Sequence, residues 1–411
     1  MFRVENNTKS IKRFILWENK FLINENIVKN ISKKLLENLS NTYNSFIENF
    51  QWENPLNTVG FIYKNRLLES YSISKAEYSK LTIDEAKEVF DKWLKDIDYK
   101  KEKDYEKLEL LRINETQSYL ESFDEEFDID IICDIHRRLT FWLDWFKDSV
   151  SWFLEYNQWE LRKKNNVLWV WNYKPVDYND VSKSLDKICM KFLNRKRLKL
   201  EDIFKFHVLL YSIHPFQNWN KRLCRTLESF LLKKHRFQDE FSSMNLFYYK
   251  FSEEFIQNFS NSLLSKNLSP FINLENTFFI NSKLDVISNI IREQYLEWIK
   301  DIKINKNEWI IMKEISRTGI LNYSTLRFLI NDKMSEQTFV NNTKWLIDKW
   351  IIRKDNNWSY IVVDYSNKLD DFKELINTIQ NNWFKVRKKY LLQIQDQETL
   401  LSINRDIMNS F

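Results

Sequence analysis

One stretch of the chain carries more information on fold and chemistry than any other: His214-Pro215-Phe216-Gln217-Asn218-Trp219-Asn220-Lys221-Arg222-Leu223-Cys224-Arg225. A proline disfavours the helical region for the residue before it, so the chain arrives at Pro215 extended or turning. An apolar period then resumes at Leu223, Leu227, Phe230 and Leu231. The sequence therefore predicts a turn followed by a helix that begins near residues 218–220.

The start of this helix is suited to binding an anion. A helix N-terminus offers backbone N–H groups without helical partners and the positive end of the helix dipole. Arg222 and Arg225 stand three residues apart on one face of the first turn, where their forked donors can hold two phosphate groups. His214, directly ahead of the helix, is a candidate general base. Each residue alone has an ordinary structural explanation, but together they predict a site that moves a phosphate-bearing group.

The stretch resembles the Fic motif, His-x-Phe-x-acid-Gly-Asn-Gly-Arg-x-x-Arg, of the Fic/Doc family. Most members of that family transfer AMP from ATP to a hydroxyl of a target protein. The positions that match are His214, Phe216, Asn220, Arg222 and Arg225. The resemblance implies ATP and Mg²⁺ as ligands, and His214 and Asn220 as catalytic residues. It implies a nucleotide site lined by Phe216, Trp219, Asn220, Lys221, Arg222 and Arg225.

Three positions depart from the motif, and each departure bears on a different property. Asn218 stands where the family usually has the acid that holds Mg²⁺; its amide oxygen can coordinate a metal but brings no charge. Lys221 replaces the second glycine, as it does in Doc-type members, which act as kinases on a flipped nucleotide. Trp219 replaces the first glycine, where the backbone wraps an anion closely and a side chain obstructs the site.

Tryptophan also stands where glycine is expected elsewhere. The 411 residues contain 2 Gly and 16 Trp, although glycine normally makes up about 7% of a chain. Trp159 lies three residues before Arg162 where the family has glycine, Trp152 takes the place of a turn glycine, and Trp350 takes that of a helix C-cap glycine. One hypothesis is that UGA codons meaning Gly in the source organism are translated as Trp. The alternative is a Trp-rich lineage, and the codon for position 219 distinguishes the two.

Length and composition favour an intracellular protein of two or three domains. The net charge is +5, from 63 basic and 58 acidic residues, which is too weak a bias for a dedicated nucleic-acid binder. The cysteines Cys133, Cys189 and Cys224 are few and widely spaced, which favours a reducing cytoplasm over a disulfide framework. The N-terminus lacks an apolar signal core, and no apolar run is long enough for a membrane span.

A second short pattern lies near the N-terminus. A helical period covers about residues 26–50, and its end, Asn44-Ser45-Phe46-Ile47-Glu48-Asn49, resembles the inhibitory motif of Fic proteins. In that family the motif glutamate, here Glu48, pairs with the second motif arginine, here Arg225. The pairing denies the guanidinium fork to the γ-phosphate. The alternative is that Glu48 is an exposed helix residue, since such short matches are often accidental.

The whole sequence predicts a mainly α fold. Helices are expected across 83–122, 127–140, 178–193 and 201–213, and the resemblance implies a Fic-type core with a small β-hairpin flap near residues 167–175. Pro270 and a polar stretch to about Lys283 suggest a boundary. Beyond it, helices and a two-strand wing resemble a winged-helix module. The predicted domains are an N-terminal helical region 1–110, a Fic core 111–275, a winged-helix-like domain 284–363 and a helical tail 364–411.

The function that the resemblance favours is a protein adenylyltransferase, inhibited by its N-terminal helix. A Doc-like kinase is the nearest alternative; Lys221 favours it and the retained Arg225 opposes it. A Fic and winged-helix regulator of DNA with a weak or inactive site is the third. The recognition helix at residues 335–342 is poor in Lys and Arg, so protein contact or dimerisation is as compatible with it as DNA.

Overall fold

The computed structural model describes residues 11–16, 19–24, 28–53, 55–75, 77, 79–94, 104–141, 143, 160–165, 173–299, 303–315, 320–354, 359–362, 374–375, 377–379 and 381–382. These residues divide into two units. The first is drawn from Met1–Asn30 and Phe61–Phe279, and the second from Ile31–Gly60 and Ile280–Glu398.

The fold is mainly α, as the sequence predicts. The helices are α1 Lys33–Glu53, α2 Pro55–Lys75, α3 Ile83–Leu94, α4 Tyr105–Glu121, α5 Ile129–Thr140, α6 Val181–Ile188, α7 Leu200–Ile213, α8 Asn220–Lys234, α9 Asn245–Lys250, α10 Ser252–Ser265, α11 Ser269–Ile299, α12 Lys306–Ile315, α13 Tyr323–Ile330 and α14 Glu336–Asp348. The strands are β1 Ile11–Leu16, β2 Asn19–Asn24, β3 Ile320–Asn322, β4 Ile352–Lys354 and β5 Ser359–Val362. No helix within the described ranges is long and apolar enough to cross a membrane.

In the first unit α8 is the central helix, packed against α4, α5 and α7. Its predicted apolar period is confirmed, because Leu223, Leu227 and Leu231 are fully buried. The neighbouring helices begin at aspartate caps. The Asp104 carboxylate accepts the N–H of Glu106 at 2.9 Å ahead of α4, and Asp128 caps α5 in the same way. These caps and the buried leucines fix where the N-terminus of α8 lies among its neighbours.

The stretch from Pro270 to about Lys283, where the sequence suggests a boundary, is helical, because α11 runs continuously through it. The division between the two units falls within this stretch, after Phe279. Pro270 is accommodated in the first turn, where its missing N–H costs nothing, and Asn267 accepts the N–H of Ser269 at 3.1 Å. The chain also forms an N-terminal antiparallel hairpin, β1 with β2, that the sequence did not predict. The predicted flap strand at residues 167–170, Trp152 and Trp159 lie outside the described residues.

The second unit contains α1 and the elements from α12 to β5. The predicted helices and the two wing strands are confirmed, and β3 adds a strand, so that the sheet is antiparallel in the order β3-β5-β4. Ser335 caps α14 by accepting the N–H of Thr338 at 3.2 Å. The core consists of Ile311, Ile315, Leu326, Phe339, Leu346, Ile352 and Tyr360 among others. The winged-helix interpretation stays a prediction, as do the domain bounds, and nearly all of the tail lies outside the described residues.

Several residues with side chains take the left-handed backbone conformation that favours glycine. Within the described ranges they are His214, Trp219, Arg236, Lys266 and Trp350. For a bulky residue this conformation costs roughly 1–2 kcal/mol, because Cβ approaches the following carbonyl. Two of the residues being tryptophan agrees with the recoded-glycine hypothesis, although the other three show that this chain also tolerates the conformation elsewhere.

Trp350 ends α14 in a Schellman motif. Its N–H donates to the Ile347 carbonyl at 2.9 Å, and the next N–H, that of Ile351, donates to the Leu346 carbonyl at 3.0 Å. The residue at this place in the motif is commonly glycine. The φ of Trp350 is 59°, and its side chain is 79% exposed. The indole therefore adds strain to the turn and gains little burial in return.

We predict that Trp350→Gly stabilises the protein by about 1 kcal/mol, because it removes the left-handed strain and exposes no core. Trp345→Gly is the matched control: it makes the same chemical change on an indole that is 60% exposed, but inside α14. Glycine there should destabilise by about 1 kcal/mol. Urea unfolding of both variants tests the contrast. Equal destabilisation by both substitutions would contradict it.

Candidate functional site

His214 lies at the left-handed turn that ends α7. Its φ is 51° and its ψ 62°, and its N–H donates to Leu210 at 3.3 Å, the last bond of the helix. The helix cannot continue because Pro215 has no N–H. The imidazole is buried, and its Nδ1 has no hydrogen-bond partner among the described residues. Burial, with the nearby charges of Arg162 and Lys221, lowers the pKa of His214 to about 3, so the ring is neutral and can accept a proton.

The loop from Phe216 to Asn220 is closed by the Asn220 amide. Its Oδ1 accepts the Phe216 N–H at 3.0 Å, and its Nδ2 donates to the Phe216 carbonyl at 2.8 Å and to the Asn218 carbonyl at 3.3 Å. These bonds turn the first N–H groups of α8 toward one side of the loop. The catalytic and nucleotide-binding role of Asn220 stays a prediction, and in this structure its side chain is bonded within the loop.

His136, on α5, supports the same loop. Its ring stacks on Phe216 with centroids 3.8 Å apart, and its Nε2 lies 3.0 Å from the Asn218 carbonyl. With the Asn218 carbonyl as acceptor, the Nε2 carries the proton. His136 thus fixes the loop by packing and by a hydrogen bond, and its place on an amphipathic helix was the signal available in the sequence.

Arg222 is already held by a carboxylate. Its Nε and Nη2 each donate to one oxygen of Glu109 on α4, both at 2.9 Å, and both residues are buried. Burial raises the pKa of the Glu109 carboxyl. Burial acts to lower the pKa of Arg222, but the neighbouring charge of Glu109 outweighs it, so that this pKa is raised. The forked geometry favours the charged pair, because each oxygen accepts one guanidinium N–H. Arg222 and Arg225, which the sequence predicts to hold two phosphates together, are therefore not equivalent, because Arg222 is already paired with Glu109.

Arg225 is held more loosely. Its Nη1 lies 3.9 Å from Glu77 Oε1, beyond hydrogen-bond distance, and its Nε and Nη1 have no hydrogen-bond partner among the described residues. The other oxygen of Glu77 lies 3.3 Å from Lys221 Nζ. Arg225 is 3% exposed, and burial lowers its pKa despite the charge of Glu77. A buried guanidinium with unused donors is a place where an anion can bind.

Trp219 covers the front of this cluster. Its φ is 65°, and its carbonyl accepts the first helical bond of α8, from Leu223 at 3.0 Å. The indole is 4% exposed and stacks on Arg222, with Cζ 4.1 Å from the ring centroid, while its Nε1 has no partner among the described residues. The indole thus lies beside Arg222, one of the residues of the predicted nucleotide site, and its obstruction of that site stays a prediction.

The residues present do not fit a resident Mg²⁺ ion. Mg²⁺ is bound by carboxylates and phosphates in a near-octahedral shell. Asn218 offers one amide oxygen, and the nearby carboxylates of Glu77 and Glu109 lie against cations. The described part of the chain contains no group of three His, Cys, Asp or Glu residues that could hold a metal. Mg²⁺ binding through Asn218 stays a prediction.

The acid at Arg225 is one that the sequence analysis missed. Glu77 follows α2, in Ile73-Ser74-Lys75-Ala76-Glu77, whereas the resemblance to the inhibitory motif indicated Glu48. Glu48 is an exposed residue of α1 and belongs to the second unit, whereas Glu77 and Arg225 belong to the first. The pairing of Glu48 with Arg225 stays a prediction. Near the end of α2, three serines are fully buried: Ser70, Ser72 and Ser74. The surroundings of this helix end are therefore unusually polar for a protein interior.

One segment of the chain matches a known family. Residues 126–232 match the model of the Fic/DOC family. The matched segment contains His214, the loop and the first turn of α8, whereas Glu77 and Glu109 lie ahead of it. No curated protein matches the chain in sequence.

The solved structures that resemble the chain include two Fic proteins. One is a Fic family protein from Desulfovibrio desulfuricans, 15% identical, covering 82% of this chain and 97% of its own, with a TM-score of 0.49. The other is a Fic domain containing signaling protein from Bacteroides thetaiotaomicron, 16% identical, covering 62% of this chain and 97% of its own, with a TM-score of 0.46.

The buried neutral His214 predicts a pH dependence of stability. Its pKa is about 3 in the folded chain and 6.5 when exposed, so between these values the unfolded chain binds the extra proton. Stability contributed by the neutral ring is complete above pH 6.5 and is lost on acidification, by about 2 kcal/mol at roughly pH 5. His214→Gln should lessen this loss in urea unfolding, while the half-buried His235→Gln should lessen it less. Equal pH profiles of parent and His214→Gln would contradict the prediction.

Proposed function

We propose that the protein transfers AMP from ATP to a hydroxyl side chain of a target protein. The observation that supports this best is the placing of a neutral imidazole, His214, ahead of a helix whose second turn carries Arg225 with unused buried donors. Buried donors are costly unless a ligand accepts from them. A polyphosphate supplies such acceptors together with the matching charge.

The proposed step forms one bond to the α-phosphorus, breaks one, and transfers one proton. An imidazole nitrogen of His214 takes the proton of the target hydroxyl, and the hydroxyl oxygen bonds to the α-phosphorus. The bond from the α-phosphorus to the oxygen bridging it to the β-phosphate breaks, and pyrophosphate leaves. Phosphate charge near His214 favours the imidazolium, so the bound nucleotide itself makes His214 a stronger base. N–H groups of α8 would steady the α-phosphate, with Lys221 and Arg225 at the outer phosphates.

The proposed inhibition rests on Glu77 rather than Glu48. Among the described charges of the site, three cations, Lys221, Arg222 and Arg225, face two carboxylates, Glu77 and Glu109. Glu109 holds Arg222 by two short bonds, whereas Glu77 lies 3.9 Å from Arg225. Glu77 is thus the carboxylate that a phosphate would displace. In this proposal Glu77 lowers the affinity for nucleotide until α2 or its end moves.

The first experiment asks which phosphate is transferred. Protein made with the codons of its source should move label from α-labelled ATP onto protein, including itself. His214→Ala should abolish transfer and leave nucleotide binding, because the substitution removes the base and not the anion site. Label that arises only from γ-labelled ATP would establish the kinase alternative, which Lys221 favours. Neither label, with nucleotide binding intact, would favour a regulator that only senses nucleotide.

The second experiment asks which glutamate inhibits. Glu77→Gln should raise transfer on the order of tenfold, because the Glu77 charge beside Arg225 and Lys221 no longer competes with phosphate. A tenfold change corresponds to about 1.4 kcal/mol of this attraction. The matched variant Glu48→Gln should leave transfer unchanged. In an Arg225→Ala background Glu77→Gln should have little effect, since the two residues act as one contact. A rise with Glu48→Gln alone would support the assignment made from the sequence.

The target protein and the role of the second unit remain proposals. Its helix α14 carries one lysine and no arginine against two acids, which supports a protein contact or dimerisation more than binding to DNA. A DNA-binding regulator would show a steep loss of affinity with salt.

A further inference from the structure

Arg162 makes more hydrogen bonds at the site than any residue of the motif. It precedes the predicted flap, and in the sequence it stands out only as the arginine three residues after Trp159, where the family has glycine. Its Nε donates to the His214 carbonyl at 2.7 Å, and its Nη2 donates to the Ile213 carbonyl at 3.2 Å. Its backbone N–H donates to the Pro215 carbonyl at 2.9 Å. One residue therefore binds three consecutive carbonyls at the turn that carries the candidate base.

The other donors of Arg162 reach the segments on either side of the flap. Its Nη1 donates to the Lys164 carbonyl at 2.9 Å and lies 3.4 Å from Asn165 Oδ1, and its Nη2 also donates to the Val176 carbonyl. A guanidinium has five N–H groups, and each finds an acceptor here. All of these acceptors, among the described residues, are carbonyl or amide oxygens and none is a carboxylate. The side chain is 3% exposed.

The turn at His214 creates the need for such a residue. The last carbonyls of a helix have no helical partners, and Pro215 supplies no N–H to bind them. Left buried and unbound, each would cost about 1–3 kcal/mol. Lysine could not replace the arginine, because its three donors share one nitrogen and do not form a planar fork. The bonds to the Ile213 and His214 carbonyls also set the φ and ψ that aim the imidazole.

We propose that Arg162 is the positioning residue for His214 and that it couples the flap ends, at Lys164 and Val176, to the motif turn. The proposal rests on the proposed function in assigning His214 the role of base. Arg162 makes no hydrogen bond to a carboxylate among the described residues, although the charge of Asp177 acts on it. The charge of Arg162 acts on His214 in turn and, after burial, contributes to lowering the pKa of that ring. Arg162 thus holds the base in place and keeps it unprotonated.

The test is Arg162→Lys, which keeps the charge and removes the fork. Turnover of the AMP transfer should fall on the order of 100-fold, since a small displacement of a base has effects of that size. The dissociation constant for ATP should change less than about threefold, because Arg225 and α8 are untouched. The control is Arg195→Lys, an exposed arginine of the same domain, which should change neither quantity. A folded Arg162→Lys variant with parental turnover would overturn the proposal, as would equal losses of turnover and nucleotide affinity.

Two further measurements keep the proposal testable. Asn165→Ala removes the acceptor at 3.4 Å and leaves the bond to His214, so it should lower turnover severalfold at unchanged affinity. If Arg162→Lys does not fold, parental turnover of Asn165→Ala overturns the proposal. The imidazole NMR signals of His214, assigned by their loss in His214→Gln, need no activity. They should shift in Arg162→Lys and not in Arg195→Lys, even if the parent transfers no label and the proposed function fails; unshifted signals would also overturn the proposal.

Discussion

The left-handed turn at His214 is the constraint on which the rest of the site depends. Helix α7 ends and α8 begins on either side of Pro215, which has no backbone N–H and interrupts the helical conformation. The turn leaves carbonyls on one side, which Arg162 binds, and the first N–H groups of α8 on the other, which have no partner within the helix. The base candidate and the candidate anion-binding end of α8 are adjacent because both result from the same interruption of the helix.

The buried charges around α8 divide into a permanent and an exchangeable pair. Arg222 and Glu109 form two bonds of 2.9 Å on α8 and α4, and breaking them would leave two uncompensated buried charges. Arg225 and Glu77 are 3.9 Å apart, and Glu77 divides its oxygens between Arg225 and Lys221. An incoming phosphate can replace the second pair at small cost and the first only at large cost. The two motif arginines, equivalent in the sequence, are therefore different in the structure.

Sequence patterns predicted what depends on local periodicity and failed where distant residues meet. The leucines of α8, the helix predicted from residue 335 and the wing strands follow from neighbours a few residues away. Glu109 meets Arg222 across 113 residues, and Glu77 meets Lys221 across 144, so no local pattern contains either contact. The short inhibitory motif drew attention to Glu48 for the same reason: a hexapeptide match carries no information about which acid the fold brings to Arg225.

Whether residue 219 is tryptophan or glycine affects access to the candidate site more than it affects the backbone of the loop. The loop is closed by the Asn220 amide and held by His136, and neither contact involves the side chain of Trp219. Glycine at this position would keep the left-handed φ of 65° without strain. Arg222 would lose the indole stacked on it but keep Glu109. Removing the indole would therefore open the front of the anion site without dismantling it, so a tryptophan and a glycine protein should share one fold and differ in how readily a nucleotide enters.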